Sequence, residues 1–571
     1  MKKKSLNLAA LAAILISSLV FYSCENESDP PSVVTEESVW KSDQEALATV
    51  NAVYPPLQRL SSSYSFLLES ATENTISFEG ADDEAGPLVS LFQTDINNWY
   101  PTKVFNYLYV SINEANRTVA KADSSYAGGN LSQDVIKLAR ARAKFVRGLD
   151  YLYLTQLWGE VPLILSTTSS KKEQTERQSI DKVYEQIVQD LTEAEADLPP
   201  FDQTRSNPSK GAANAILARA YLTWASKPLS QNEVGAISGS KTDPSAVTWD
   251  TKKLEKAVEY ADRVINSGNY KLENDFEDNF GVPAENRSPE HIFTIHHDGD
   301  GQGDAQGNHQ THCPFTFRFD LYQDNHIGPA DVTLLDRFSD KDKRKRFSLL
   351  TRLYNQDEPL VNSPQSASDY KEYHYVYPIT SPRVGKYIHR NSKYPEVAPG
   401  TEAGQPNNIN RIEIRYAEVL LIKAEALLNL GKATEAAGVI NELRKRAGLS
   451  DLATLTQKDL ENEWYLELFF EQKHWLNLVR WRKLVNTVLT ETPKFEYYKE
   501  DYKSVESQVA KFGPENDGTQ AGKVKTNYPF FAKVYKHLHS KTTNVSGRFY
   551  RFPIPKGLSG NDLGIEQNPG Y

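Results

Sequence analysis

Apolar residues recur three and four positions apart over several long segments, the spacing of one buried helix face. Residues 104–121 carry Leu108, Ile112, Ala115 and Val119 in this register. Residues 138–158 read LARARAKFVRGLDYLYLTQLW, and Gly159 and Pro162 then end the helix and turn the chain. Residues 180–198 place Val183, Ile187, Leu191, Ala194 and Leu198 on one stripe before Pro199-Pro200 stops it. Residues 211–225 (GAANAILARAYLTWA) predict another helix, as do 254–265, which end at Asn266-Ser267-Gly268. Toward the C-terminus, 414–430 and 434–447 predict two helices joined by Gly431-Lys432. Tyr416, Leu420 and Ala424 stand at i, i+4 and i+8, one buried stripe.

Small residues mark these helices as close-packed. Ala424-Glu425-Ala426, Leu430-Gly431 and Glu435-Ala436 resemble a tetratricopeptide unit, in which one helix nests on its partner and each pair stacks on the next. About four such pairs are expected, with an ordinary helical bundle as the alternative. Residues 61–98 and 285–404 break the pattern: they are rich in Gly, Ser, Pro, Asn, Asp and His, mixed with aromatics. Residues 493–571 are irregular too. Long irregular segments in a compact domain are usually functional or disordered. The fold class expected is therefore mainly α: a right-handed scaffold of tetratricopeptide-like pairs carrying an irregular, ligand-binding lobe.

The N-terminus reads differently. Lys2-Lys3-Lys4 precede an apolar run, Leu8 to Ile16, and then Ser17 to Ser23 lead to Cys24. A basic start, a short apolar core and a small residue before the cut describe a signal peptide, and the run falls short of the roughly 20 residues of a membrane span. Cys24 directly after the cut resembles the lipid-bearing cysteine of a bacterial lipoprotein signal, with Phe21 where Leu is usual and a typical Ser23. The expected organisation is a signal peptide over 1–23, a lipidated tether over 24–40 and one domain over 41–571. Within that domain the scaffold is expected over about 41–60, 102–284 and 411–490, and the loop-rich lobe over about 61–101, 285–410 and 491–571.

Charge narrows the partners. The chain has 65 basic and 75 acidic residues, a net charge of -10. Removing residues 1–23 removes three lysines and no acid, leaving 62 against 75, or -13. Nucleic acid, which needs a concentrated basic footprint, is excluded as a partner. The membrane is expected to be reached through the N-terminal lipid alone. The two cysteines are Cys24 and Cys313, so with Cys24 lipidated no internal disulfide is possible. The 30 Tyr, 23 Phe and 8 Trp exceed what a core alone needs and leave rings for a binding surface.

Ordered motifs carry a family resemblance. They begin with Ala141-Arg142-Ala143-Lys144-Phe145-Val146-Arg147-Gly148, Tyr151 and Leu157-Trp158-Gly159-Glu160-Val161-Pro162-Leu163. Val183-Tyr184, Asp190-Leu191, Leu198-Pro199, Lys210-Gly211-Ala212-Ala213 and Ala261-Asp262-Arg263-Val264-Ile265-Asn266-Ser267-Gly268 follow. Then come Arg415-Tyr416-Ala417-Glu418-Val419-Leu420-Leu421, Asn441, Arg444, Arg446-Ala447-Gly448, Trp475, Leu478, Arg480-Trp481 and the closing Asn568-Pro569-Gly570-Tyr571. In this order they resemble the SusD-like (RagB/SusD) outer-membrane lipoproteins. Trp464 and His474 stand where that family usually has Arg, and Asn477 where it has Asp, which predicts the loss of local salt bridges. The resemblance implies a nutrient-binding protein, not an enzyme. It implies outer-membrane, cell-surface exposure, a glycan ligand (a peptide in some members), and a SusC-like TonB-dependent transporter that the protein caps as a lid. A protein-only interaction scaffold is the remaining alternative.

Sugars present C–H faces that stack on flat rings and hydroxyls that bond Asn, Asp, Gln and Arg. The candidate ligand residues are Trp99, Tyr100, Asn98 and Phe92 in one irregular stretch, and Phe317, Arg318, Tyr322 and Asn325 in the other. Trp99-Tyr100, placed just ahead of the 104–121 helix, is the leading pair. Phe315, Phe317 and Phe319 alternate as in a half-buried strand, which favours packing for them.

Other chemistry finds little footing. Counting Asp298 as the first position of a calcium loop puts Asp300 at 3, Gln302 at 5 and Gly303 at 6, but His309 falls at 12, where a bidentate Glu is needed. His309, His312 and Cys313 lack recognisable zinc spacing. No cofactor is expected. The chain has no G-x-S-x-G, H-E-x-x-H or Walker motif, so no catalytic residue is assigned.

Overall fold

A computed structural model describes residues 40–77, 85–128, 131–280, 288–297, 327–329, 332–350, 383–384, 386, 410–493, 528–557 and 564–571. Residues 24–39 of the expected tether, Cys24 among them, and the candidates Phe317, Arg318, Tyr322 and Asn325 lie outside these residues, as does the 298–313 run read for calcium and zinc; Trp40, the tether's last residue, is buried in the core.

The periodic segments are helices. They are α1 (Asp43–Val50), α2 (Tyr54–Ser70), α3 (Trp99–Gly128), α4 (Gln133–Trp158), α5 (Ile180–Asp197), α6 (Lys210–Ala225) and α7 (Thr251–Ile265). After the long insertion come α8 (Tyr416–Asn429), α9 (Ala433–Arg446), α10 (Gln457–Glu467), α11 (His474–Arg480), α12 (Leu484–Glu491) and α13 (Tyr528–Asn544). Side-chain oxygens cap many starts: Ser179 accepts from Lys182 N–H, Ser209 from Ala212 N–H and Asp250 from Lys253 N–H. Among the described residues no helix is long and apolar enough to cross a membrane.

From α2 to α9 each helix packs on the next one in the chain, so the scaffold grows by stacking neighbours, as tetratricopeptide arrays do. In α7, Leu254, Ala257, Ala261 and Val264 form the buried stripe. In α6 the burial runs round the helix, through Ala212 to Ala218, because α6 lies between α5 and α7. The family motifs turn out to be scaffold. A Cβ on Gly148 would lie 2.9 Å from Leu191 Cγ, so glycine sets the approach of α4 to α5. Beside it, Arg147 makes a two-pronged bond to Asp190 at 2.8 and 2.7 Å. Gly159, with φ +78, stops α4 in a left-handed turn. Asn568 of the closing motif donates to Trp158 and Phe552 carbonyls, clamping the C-terminus to the end of α4.

Three expectations need correction. Residues 61–70, assigned to the loop-rich lobe, complete α2 and are almost entirely buried. Their serines obscured the helix, but they fold in where burial outweighs weak propensity; Ser61 donates to Leu57 O at 2.7 Å. Ile414 belongs to a strand, not to the start of α8. Residues 528–544, in the segment read as irregular, form α13. The Trp464 and His474 departures leave contacts in place, since His474 Nε2 lies 2.8 Å from Glu73 Oε1 and the Arg480 guanidinium sits 5.2 Å from the Trp464 ring.

Short strands tie the lobe to the scaffold. Strands β1 (Thr75–Ser77), β2 (His291–Ile295), β3 (Ile327–Pro329) and β4 (Arg411–Arg415) pair antiparallel as β1–β3 and β2–β4. Ile295 faces Arg411, so both ends of the 296–410 insertion are neighbours.

Beneath that root lies a buried ionic cluster. Arg415 donates to Glu290 (2.5 Å), Glu467 (2.7 Å) and Glu471 (2.8 Å). Arg446 joins Glu290 and Glu467. Arg344 binds Asp342, Glu463 and Glu467, Lys386 binds Glu471, and Arg444 binds Glu463. Burial alone would raise the Glu467 carboxyl, but Arg446, Arg415 and Arg344 together hold it well below the usual range. Replacing Arg415 by Met should lower the unfolding free energy by about 3–5 kcal/mol, because it strands buried carboxylates. Urea denaturation measures it, and a loss under about 1 kcal/mol, the size of a surface pair, would show the cluster to be dispensable.

Candidate functional site

Asn98 starts α3. Its side-chain oxygen accepts Tyr100 N–H at 3.1 Å, and its amide donates to Ala85 O at 2.8 Å, fastening the helix to the preceding short helix. The cap therefore sets Trp99 and Tyr100 inside the first turn of α3, where the sequence pattern places them in an irregular stretch just ahead of the helix. The reason is local: Asn98 offers the backbone the first hydrogen bond that a helix N-terminus lacks.

Three rings stack in sequence. Phe66 of α2 lies 3.9 Å from Tyr100 with planes 11° apart, and Tyr100 lies 3.7 Å from Trp99 at 23°. Phe66 and Tyr100 are buried, and Trp99 is the half-buried outer member. Lys103 Nζ lies over the indole, 4.3 Å from the ring centroid. Gln93, Asp95 and Asn97, next in sequence to the stack, are exposed. Asp95 orients Asn97 by accepting its N–H at 2.9 Å. The arrangement offers an aromatic platform on a rigid helix end with polar groups beside it.

The other described candidates are placed inside. Phe92 is 0% exposed, has φ +56 and meets Phe549 edge-on at 5.1 Å. Asn98 is 3% exposed, with its amide committed to the backbone. Asn98 and Tyr100 thus hold the platform from behind, Phe92 packs on Phe549 instead, and Trp99 is the one of these four that reaches the surface. Phe66 and Lys103 were not singled out in the sequence. Lys103 had a readable signal, since it stands at i+4 from Trp99 on one helix face. Phe66 had none, because it comes from the serine-rich half of α2.

Titratable groups near Phe92 are buried: Lys541 Nζ lies 5.8 Å from its ring. Lys541 is fully buried, donates to Thr75 O at 2.5 Å, and is pushed down to about 7 by burial. Burial likewise pushes Glu69 up to about 8, against the pull of the Gln472 N–H that it accepts. Ser90 Oγ meets His537 Nε2 at 2.9 Å. Among the described residues no group of three or more His, Cys, Asp or Glu is arranged to hold a metal ion.

Comparison with known proteins joins these features. The profile described as SusD family matches residues 260–571, and one described as "Starch-binding associating with outer membrane" matches residues 34–222. SusD-like protein P2 of Formosa agariphila is 27% identical over 491 residues, covering 81% of this chain and 88% of that protein. A solved SusD homolog from Bacteroides thetaiotaomicron superposes with a TM-score of 0.66 at 20% identity, covering 94% of this chain and 98% of that one. Surface glycan-binding protein A from Bacteroides thetaiotaomicron, solved with laminarihexaose, gives a TM-score of 0.61 at 17% identity, covering 92% and 99%. The first profile spans more than half of the chain, through the ionic cluster, the insertion root and the C-terminal clamp: the chain belongs to the SusD family.

Proposed function

We propose that this protein is a cell-surface lipoprotein of the outer membrane that captures glycan and delivers it to a SusC-like TonB-dependent transporter, closing over it as a lid. It binds and does not catalyse. Cys24 carries the lipid and tethers the body at the membrane beside its partner. Support for the glycan comes from the starch-binding description of the N-terminal profile and from a structural relative solved with laminarihexaose. The observation that carries it is the Trp99 platform. The ring is backed by Tyr100 and Phe66, so a sugar face gains contact area while the platform loses little side-chain entropy on binding.

Affinity electrophoresis of the chain from residue 25 onward, against a panel including laminarin and starch, should show retardation by at least one glycan. Trp99→Ala should weaken that binding by at least about fivefold while moving the melting temperature by no more than about 2 °C. Tyr100→Ala, which removes the middle of the stack, should cost about 3 kcal/mol of stability as well. No retardation by any glycan, with titratable binding of peptides, would overturn the glycan reading. In cells, Cys24→Ala should release the protein from the membrane fraction and leave glycan binding intact in solution; retention of the variant at the surface would contradict lipid anchoring.

A further inference from the structure

Residues 91–98, which lead into the Trp99 platform, are held by the C-terminal part of the chain. Burial alternates along them: Phe92, Thr94 and Asn98 are buried, while Gln93, Asp95 and Asn97 are exposed as the polar edge of the platform. Three of their carbonyls are taken by distant donors. The Asn544 amide donates to Leu91 O at 3.0 Å, the Arg548 guanidinium reaches Phe92 O at 3.5 Å, and Lys556 N–H donates to Ile96 O at 3.0 Å. Just ahead of the segment, Ser90 Oγ meets both His537 Nε2 and Lys541 Nζ, at 2.9 and 3.5 Å. Those two side chains stand one turn apart on α13.

The backbone supplies an independent observation. Phe92, with φ +56, sits in the left-handed region, which a bulky side chain occupies only where its surroundings over-determine it. Here the surroundings are C-terminal: Phe549 meets the Phe92 ring edge-on and Arg548 reaches its carbonyl. The C-terminal segment is in turn pinned to the scaffold. Lys241 Nζ donates to the carbonyls of Thr543 and Val545, where α13 ends. Gly547 N–H donates to Ser240 O and Arg548 N–H to Ser238 O, each at 3.0 Å. A continuous set of contacts therefore runs from residues 238–241 through 543–556 to residues 91–98.

Simple coverage of the core would account for the buried Phe549 and Lys541. It does not account for Asn544 and Arg548, which are only half-buried and each spend a donor on the segment that carries the polar edge. A site held in its binding shape loses less entropy when ligand arrives, so what fixes that segment contributes to affinity without touching ligand.

We propose that α13 and residues 545–556 form a strut that positions residues 91–98 beside Trp99, and that Asn544 and Arg548 are positioning residues for ligand binding. The inference rests on the glycan reading of the Trp99 platform for what is bound. The strut itself is tested without any ligand.

Asn544→Leu and Arg548→Met keep bulk and remove the donors. Amide hydrogen exchange comes first: Phe92, Gln93 and Asn98, whose N–H groups are bonded within residues 88–98, should exchange at least about threefold faster in the Asn544→Leu protein. Affinity for laminarin or starch, whichever the parent chain binds, should fall about threefold in each variant, with the melting temperature moved by no more than about 2 °C. On a Trp99→Ala background Asn544→Leu should add no further loss, which a merely structural role would not produce. Unchanged exchange in both variants would overturn the strut, and faster exchange with unaltered affinity would overturn the positioning role. If Trp99→Ala leaves binding unaltered, the platform reading fails, and with it the ligand half of this inference; the exchange comparison still decides the strut.

Discussion

The buried ion cluster centred on Glu467 is the constraint on which the rest of the architecture hangs. It gathers five cations (Arg344, Lys386, Arg415, Arg444, Arg446) and five carboxylates (Asp342, Glu290, Glu463, Glu467, Glu471) from segments far apart in the chain. Removing such charges from water costs several kcal/mol per ion, and only near-complete pairing offsets it. The pairing is complete only when four pieces meet: the root of the insertion at β2 and β4, the segment 342–344, Lys386, and the helices α9 and α10. The cluster therefore fixes where the irregular lobe sits on the scaffold. Lys386 shows the strain of burial, being pushed down to about 8 despite Glu471 beside it.

The Trp99 stack is set by local contacts between α2 and α3. Asn98 and the rings behind it set Trp99 at the end of α3, on a rigid element and not on a loop. Rigidity matters for a modest ligand: a ring already stacked on Tyr100 has little freedom left to lose. On the scaffold, Arg551 takes its place because the C-terminal segment is clamped to the end of α4 by Asn568, and because Gly159 leaves room; a Cβ there would lie 2.5 Å from Arg551 Nε.

Much of the scaffold was legible in the sequence, for a physical reason. Helices that bury one face must repeat apolar residues at helical spacing, and α3 to α9 do so. Arg415, Arg446 and the closing Asn568 were legible as motif residues whose role is structural. What stayed hidden depends on contacts between distant segments. The second half of α2 is masked by serines that are neutral in isolation and helical only when packed. Asn98 looked like a sugar ligand because an amide suits both a hydroxyl and a helix cap, and only the partner atoms tell them apart. Phe92 carries no mark that separates a core ring from a stacking one.

Native-state hydrogen exchange tests the central claim most directly. If the Glu467 cluster binds lobe and scaffold into one cooperative unit, the amides of residues 342–348 should exchange with an opening free energy equal to that of α10 and β4. Exchange of 342–348 through a low-energy local opening, while α10 and β4 stay protected, would contradict it: the lobe would then be a separately opening layer, and the ion cluster only a local contact.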